Sequence, residues 1–501
     1  MSKSLTDKTL SGLNWNFLGN YILVIIHTIV GIILARLLTP QDFGLIGMVV
    51  IFTGLADLFA TLGMKQSIIR IKNINENHLR VATTITLSSS ILLYFIFYFS
   101  SPLIAGFYNE PRLIPILKVL SILFIFKGLT VVSNGQVSKK MDFKYLVTVG
   151  IASSFTNGVI SSILALTGFG VWSLVYGSIA SSTLVCFLFL KKYPPKLKPL
   201  FKKEEFKELV GFGSGISLSN ILLYGSSNID YLIIGKFINP TQLGLYTRAF
   251  RLMTESISKV IGGSYGVLFA AFASAQDDKP KLSRAYLRTI QTVSYFVFPI
   301  LAVMVVNADY IIKGMYGDKW AGAVPVFRIL AVAGIFRTTL SYSGAIAHAS
   351  GRVYAEVLQQ LMYLVILGGS ALYAVKFGIE GVAFAVVAAL GCLFIAQSHL
   401  AIKIIESDWK TFFKAMIPGT ANLLAIVFMN LIFVFFLESY FGNLINEIKL
   451  IIAVVFNAVL FISVIVFMPL SIKGDTFTWL IDKYKKYIPA YFIKFYLYFN
   501  N

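Results

Sequence analysis

Long apolar runs separated by short polar connections make up most of this 501-residue chain. A helix needs about 20 mostly apolar residues to cross a bilayer. Runs of this length cross lipid as helices, because the backbone polar groups must be satisfied within the segment. The pattern predicts fourteen membrane-spanning helices and an all-α polytopic membrane protein. The predicted spans are residues 12–36, 42–63, 79–100, 112–133, 144–166, 170–190, 209–235, 242–272, 284–306, 322–349, 353–375, 380–402, 414–437 and 448–470.

The charge of the connections predicts the orientation of these spans. We place the N-terminus in the cytoplasm and assign Lys and Arg residues near a span end to the adjoining connection. Of the 43 such residues, 29 then fall on the inner side, 7 on the outer side and 7 deeper within spans. Cytoplasmic loops of membrane proteins carry such an excess of Lys and Arg. Inner connections are more basic than their outer neighbours along the chain, except for the weakly basic one at Arg352, so we expect fourteen spans with both termini in the cytoplasm.

A repeated turn divides the chain into two similar halves. The segment Arg36–Leu45 returns about 200 residues later as Lys236–Leu245, with a basic residue, Pro, Gly and Leu in the same register. Each half holds six spans, so both enter the membrane in the same orientation, as in a parallel repeat. We predict four regions: an N-terminal six-helix lobe, a C-terminal six-helix lobe, two added helices and a cytoplasmic amphipathic tail. They cover residues 1–200, 201–405, 406–470 and 471–501.

Composition supports this class of protein and argues against others. The chain is 57% hydrophobic and 13% charged, whereas a soluble domain carries roughly 25% charged residues. The net charge of +20 is explained by basic cytoplasmic loops, so we expect no nucleic-acid partner. The only cysteines, Cys186 and Cys392, lie inside apolar runs and predict neither a disulfide nor a metal site.

Cationic side chains inside the spans are the first candidates for function, because charge is costly in lipid. In the eighth span Arg248, Arg251, Glu255 and Lys259 are spaced 3, 4 and 4 and share one helix face. Arg337 of the tenth span and Lys127 of the fourth complete the set. Cations exceed anions within the spans, which favours a wet cavity for an anionic substrate. A structural ion-pair ladder between helices is the alternative.

Other polar residues within the spans are candidates for the cavity wall or for ion coupling. His27 and Asp57 are candidates for sensing a proton or sodium gradient, and a structural hydrogen bond is the alternative reading. Asn20 shares a face with His27, and Asp230 lies in the seventh span. Arg352 and Glu356 are expected to pair along one helix.

The first hairpin resembles a known family. Its residues Ala35, Arg36, Leu38, Pro40, Phe43 and Gly44 match the pattern A-R-x-L-x-P-x-x-F-G. Together with six, six and two spans, this hairpin resembles the polysaccharide transporter (PST) family of the multidrug/oligosaccharidyl-lipid/polysaccharide (MOP) exporter superfamily, especially its Wzx-type members. The resemblance covers most of residues 5–470. It implies two six-helix lobes around a cavity formed largely by spans one, two, seven and eight.

The resemblance also implies a function. Such proteins flip polyprenyl-diphosphate-linked oligosaccharides across the bacterial cytoplasmic membrane by alternating access, for surface polysaccharide synthesis. A multidrug or lipid II-type exporter of the same superfamily is the alternative. We expect no enzyme activity, cofactor or metal, apart from coupling to H+ or Na+. Expected partners are the lipid-linked oligosaccharide, membrane lipids, and the polymerase and chain-length proteins of polysaccharide assembly.

Overall fold

The computed structural model describes the backbone of residues 5–467, with their side chains except at 5–14, 16, 17, 212–219, 258–264, 353 and 465–467. This part of the chain is all-helical and contains no strand. The amphipathic tail predicted at 471–501 and the side chain of Lys259 lie outside the described residues.

Seventeen α-helices and two short 3-10 helices occur in the described range. Each of the fourteen predicted spans falls on one or two of these helices. The helices are α1 Leu5–Leu37, α2 Pro40–Thr61, α3 Met64–Arg70, α4 Glu76–Tyr108, α5 Leu113–Leu120, α6 Ile122–Lys139, α7 Phe143–Leu166, α8 Val171–Lys192, α9 Lys203–Phe237, α10 Pro240–Ser274, α11 Lys279–Val306, α12 Ala308–Tyr316, α13 Val324–Ala349, α14 Val353–Ala374, α15 Gly378–Ile404, α16 Trp409–Phe441 and α17 Asn446–Phe467, with 3-10 helices at Asp318–Ala323 and Val375–Phe377.

Length and apolar composition qualify eleven segments of the described range as membrane-spanning helices. The chain is therefore a multi-pass helical membrane protein. The number of fourteen spans and the cytoplasmic position of both termini stay predictions.

Contacts divide the chain into two compact units, Met1–Gly244 (unit 1) and Leu245–Asn501 (unit 2). In unit 1, α7 packs against α1 and α8, α6 packs against α4 and α8, and α2 packs against α9. In unit 2, α11 packs against α13 and α16, α15 packs against α13 and α14, and α12 packs against α17. The four regions predicted from the sequence repeat stay a prediction.

The two copies of the repeated turn begin a helix in the same way. Thr39 caps α2 through a reciprocal bond with Asp42, whose carboxylate accepts from the Thr39 backbone N–H at 2.9 Å. Asn239 takes the capping position before α10, where its side-chain oxygen accepts from the Gln242 N–H at 2.9 Å. In both copies Pro follows as the first helical residue, where its missing N–H costs nothing. The motif therefore encodes a helix start.

Glycines in these turns allow the two helix starts to touch within unit 1. A Cβ on Gly44 would overlap the carbonyl oxygen of Pro240, and a Cβ on Gly244 would overlap that of Pro40. The contact is thus reciprocal: each glycine accepts the backbone of the other turn. Any larger residue at either position would have to displace a main-chain atom.

The helices break at the end of the second predicted span and within the fourth. Leu62 and Gly63 adopt the left-handed conformation, with φ of 43° and 64°, and separate α2 from α3. Ser121 separates α5 from α6 within the fourth predicted span. The first break changes the direction of the chain and brings the residues of α3 beside the face of α2 that carries Asp57, as described below.

The last two helices are joined to the rest of unit 2 by buried amides. Asn307 donates to the side-chain oxygen of Asn430 at 2.7 Å, and Asn430 donates to that of Asn457 at 2.8 Å. This chain of amides links the end of α11 to α16 and α17. Nearby, the buried ammonium of Lys449 contacts Glu438 at 2.9 Å. These helices are therefore an integral part of unit 2.

Candidate functional site

A cavity of about 580 Å³ lies inside unit 1. Its walls come from α2, α3, α5, α6 and α8, and combine aromatic and aliphatic side chains with hydroxyl, amide and charged groups. The polar lining residues are Thr53, Asp57, Thr61, Lys65, Gln66, Lys127, Thr130, Asn134, Ser178 and Ser182. Its volume lies within the roughly 300–1,000 Å³ of ordinary ligand pockets.

Two stripes of polar residues with helical spacing meet in this cavity. Residues 53, 57 and 61 recur every four positions on α2, and residues 127, 130 and 134 recur at three and four on α6. Such spacing places each set on one helix face. The structure turns these two faces toward the same space, and the carboxylate of Asp57 forms an ion pair with the ammonium of Lys127.

The ion pair retains access to the cavity. Asp57 keeps 27% and Lys127 47% of side-chain exposure. Asp57 gives the Lys127 ammonium a partner of opposite charge. The pair joins α2 to α6 and is open to exchange with an entering group.

Lys65 is a second cavity cation, and the sequence argument did not select it as a site residue. It lies on α3 just after the break at Leu62 and Gly63. Among the described residues it makes no ion pair or hydrogen bond. No spacing along one helix could have identified it, because the break at Leu62 and Gly63 lies between Thr61 and Lys65.

Tyr224 of α9 holds α2 in place beside the cavity. Its hydroxyl donates to the backbone carbonyls of Val50 and Ile51, at 2.9 and 3.1 Å. Gly54, which lines the cavity, leaves the room for this hydroxyl, since a Cβ there would overlap it. The position of the Asp57 face is therefore set from a helix that does not line the cavity.

The other candidates of unit 1 lie elsewhere. His27 of α1 hydrogen-bonds through Nε2 to the Ser154 hydroxyl of α7 at 2.9 Å. Asn20 is exposed on the same helix. Asp230 is buried within α9, with 2% exposure. None of the three lines the cavity.

The cationic stripe of α10 has partners within unit 2. Arg251 forms an ion pair with Glu255 one turn later, at 2.5 Å. Arg248 is buried, and its guanidinium lies 5.8 Å from the ring centre of Tyr316. Burial raises the pKa of the Tyr316 hydroxyl, and the nearby Arg248 opposes that rise.

Arg337 of α13 lies beside the cationic stripe of α10. Its guanidinium lies 5.3 Å from the ring centre of Phe250, the neighbour of Arg251 in sequence. Such a contact of a guanidinium with an aromatic face is attractive. The structure therefore brings Arg337 to the α10 stripe, as a group of cations stabilised by aromatic rings and one carboxylate. Whether this group contacts substrate stays a prediction.

One expected ion pair is wrong. Glu356 pairs with His348 of α13, across the α13–α14 turn, instead of with Arg352. The turn at Gly351 brings the end of α13 against the first turn of α14. Sequence spacing along one helix could not show this contact between two helices. In the described part of the chain, no three His, Cys, Asp or Glu side chains are grouped to hold a metal ion.

A family model described as "Polysaccharide biosynthesis protein" matches residues 33–325. The match spans more than half of the chain. The chain belongs to this polysaccharide biosynthesis family. The polysaccharide transporter family, predicted from the hairpin motif, is thereby confirmed, and with it a multi-pass bacterial membrane location.

Two curated relatives illustrate the family. Teichuronic acid biosynthesis protein TuaB of Bacillus subtilis is 25% identical over 380 residues, covering 75% of this chain and 78% of TuaB. Lipopolysaccharide biosynthesis protein WzxC of Escherichia coli is 26% identical over 361 residues, covering 70% of this chain and 72% of WzxC.

Solved structures show the same fold. The lipid II flippase MurJ, in an inward closed conformation, has a TM-score of 0.69 at 15% identity, covering 89% of this chain and 97% of MurJ. An inward-facing multidrug resistance MATE family transporter of the MOP superfamily has a TM-score of 0.66 at 17% identity, covering 77% and 94%. At these identities the likeness concerns the fold alone.

Proposed function

We propose that this protein flips a polyprenyl-diphosphate-linked oligosaccharide from the cytoplasmic to the outer leaflet by alternating access, for surface polysaccharide synthesis. The observation that carries the proposal is the cavity of unit 1, a space of about 580 Å³ that combines two lysines with hydroxyl and amide groups. Family membership and relatives named for teichuronic acid and lipopolysaccharide biosynthesis support it.

The charge of the molecule suits such a substrate. Lys65 and Lys127 in unit 1, and Arg248, Arg251 and Arg337 in unit 2, offer ammonium and guanidinium groups to phosphates and acidic sugars. Guanidinium groups bind phosphate oxygens with two parallel hydrogen bonds. The polyprenyl chain would stay in lipid, and the polymerase and chain-length proteins are proposed partners. The proposed transport requires neither an enzyme activity nor a cofactor.

The proposal includes coupling to an H+ or Na+ gradient, with Asp57 and His27 as the candidate groups. Each has a partner: Asp57 pairs with Lys127, and His27 bonds Ser154. An ion acting at Asp57 would therefore have to compete with a tethered ammonium. Transport rates measured with the proton and sodium gradients imposed separately test this part.

The experiment that tests the function is deletion of the gene. We expect lipid-linked repeat units to accumulate on the cytoplasmic leaflet, wild type to clear them, and Arg251→Ala to fail. The matched control is Arg284→Ala, since Arg284 is an exposed arginine that bonds a carbonyl of its own helix. Full rescue by an Arg251→Ala/Arg337→Ala protein that inserts normally would refute a role for these cations.

A lipid II-type exporter is the second candidate, since the fold of MurJ extends over 89% of this chain. The same deletion separates the two. Accumulation of lipid II instead of polysaccharide repeat units, together with a defect in cell-wall peptidoglycan, would favour the second candidate.

A further inference from the structure

We infer that the cavity of unit 1 binds one singly charged acidic sugar residue of the transported glycan. Lys65 and Lys127 bind its carboxylate, and Asp57 competes with it for Lys127. The inference rests on the proposed function and narrows its substrate class to glycans with an acidic sugar.

The charge balance of the cavity selects a single negative charge. Its charged lining residues are Lys65, Lys127 and Asp57, so the wall carries one net positive charge. A carboxylate would neutralise it. A diphosphate linkage carries two negative charges and would reverse the sign of the net charge, which leaves one negative charge without a partner in the wall.

Lys65 is the group that leaves this charge unbalanced. Asp57 pairs with Lys127, whereas Lys65 has no carboxylate partner among the described residues. A cation in a cavity wall without a counter-charge is less favourable than a paired one. An entering carboxylate lowers that cost, so Lys65 favours an anionic ligand over a neutral one.

The remaining lining groups fit the hydroxyls of a sugar. The hydroxyls of Thr53, Thr61, Thr130 and Ser178 donate to carbonyls of their own helices, which leaves their oxygens as acceptors. The Asn134 amide accepts from Ser138 at 3.3 Å, and its nitrogen donates to no described residue. The wall thus offers both acceptors and donors, as hydroxyl-rich ligands require.

Competition between Asp57 and the ligand gives the inference a distinctive consequence. Both are carboxylates, and Lys127 cannot pair fully with both at once. Removing the charge of Asp57 should therefore strengthen binding, while removing either lysine should weaken it. A purely structural ion pair predicts that Asp57→Asn impairs binding or leaves it unchanged.

Equilibrium dialysis of the full chain in lipid nanodiscs tests this. The probes are radiolabelled disaccharides: glucuronosyl-glucose, which carries one carboxylate, and neutral cellobiose. We expect the acidic probe to bind at least about tenfold more tightly, and Lys65→Gln or Lys127→Gln to remove about that factor. Asp57→Asn should raise affinity for the acidic probe a few-fold, a gain that misfolding cannot produce.

Lys118→Gln is the matched control, because the Lys118 ammonium lies over the Tyr98 ring and outside the cavity. Equal binding of the two disaccharides, weaker binding by Asp57→Asn, or an equal loss with Lys118→Gln would overturn the inference. Stronger competition by pyrophosphate than by glucuronate would overturn it in favour of the lipid diphosphate.

This inference and the proposed function fail separately. If deletion causes lipid-linked repeat units to accumulate but the acidic probe does not bind, only the sugar subsite is refuted. If no repeat units accumulate, the flippase proposal is refuted whatever the dialysis shows.

Discussion

The Asp57–Lys127 pair illustrates what single residues contribute to this molecule. It joins two helices, and it also lines the cavity of unit 1. Because both side chains are partly exposed, their mutual attraction is weaker than that of a fully buried pair.

The effects on stability of removing the charge of Asp57 and of Lys127 should not be additive. We expect Asp57→Asn and Lys127→Gln each to lower the free energy of unfolding by about 1–2 kcal/mol, because each leaves one charge without its partner. The double variant should lose less than the sum of the two. Thermal unfolding in nanodiscs measures all three variants. Strict additivity would show that the pair does not stabilise unit 1.

A pair outside the spans should make stability depend on pH. Glu110 accepts two hydrogen bonds from Arg112, at 2.7 and 2.8 Å, which lower the pKa of its carboxyl below the ordinary value. The stabilisation is present above the unfolded pKa of about 4.3 and is lost as pH falls toward the lower folded pKa.

Arg112→Gln tests this dependence. The variant should lose less stability than wild type between pH 6 and pH 3, as measured by melting temperature. The difference should be at most about 1 kcal/mol, because Arg112 is half exposed. Parallel pH curves for the two proteins would show that the bond contributes nothing.

At the scale of helices, the two copies of the repeated turn pack directly against each other. Gly44→Ala and Gly244→Ala each place a methyl group on a main-chain carbonyl of the other turn. We expect each to lower stability by about 1–3 kcal/mol, since the backbone cannot rotate away as a side chain can. The control is Gly106→Ala, which meets no atom within 4 Å and should leave melting unchanged or slightly higher.

Much of this architecture could be predicted from the sequence. Apolar runs located the helices, and spacing placed Thr53, Asp57 and Thr61 on one face and Lys127, Thr130 and Asn134 on another. The second predicted span ends at Gly63, where the helix breaks, but the break at Ser121 could not be predicted, because apolar character continues through it. The region 307–322 connects two predicted spans, and it contains the short helix α12. The search for spans missed this helix because its nine residues are too few to cross a bilayer.

The candidate site could be predicted in parts but not as a whole. The sequence showed which residues are cations at membrane depth. It could not show that Asp57 faces Lys127, that Lys65 joins them, or that Arg248 packs on Tyr316, because these contacts connect distant segments. Such contacts depend on how distant segments pack, and local sequence patterns carry no information about that packing.

For the whole molecule, the predicted orientation of the spans in the membrane can be measured by cysteine labelling. In a Cys186→Ala/Cys392→Ala background, a cysteine at Thr241 should react with an impermeant maleimide added outside intact cells, and a cysteine at Lys198 should not. The physical reason is the excess of Lys and Arg in the predicted inner connections. The opposite labelling would reverse the predicted topology.

The central claim, that this chain moves a lipid-linked oligosaccharide between leaflets, is tested most directly in proteoliposomes. The purified full chain is reconstituted with a polyprenyl-diphosphate-linked acidic oligosaccharide. The readout is the fraction of glycan open to an impermeant glycosidase added outside. The account predicts that this fraction rises from about one half, as set by random insertion into two leaflets, toward completion, and stays at one half with Arg251→Ala/Arg337→Ala. The same fraction with and without wild-type protein would contradict it.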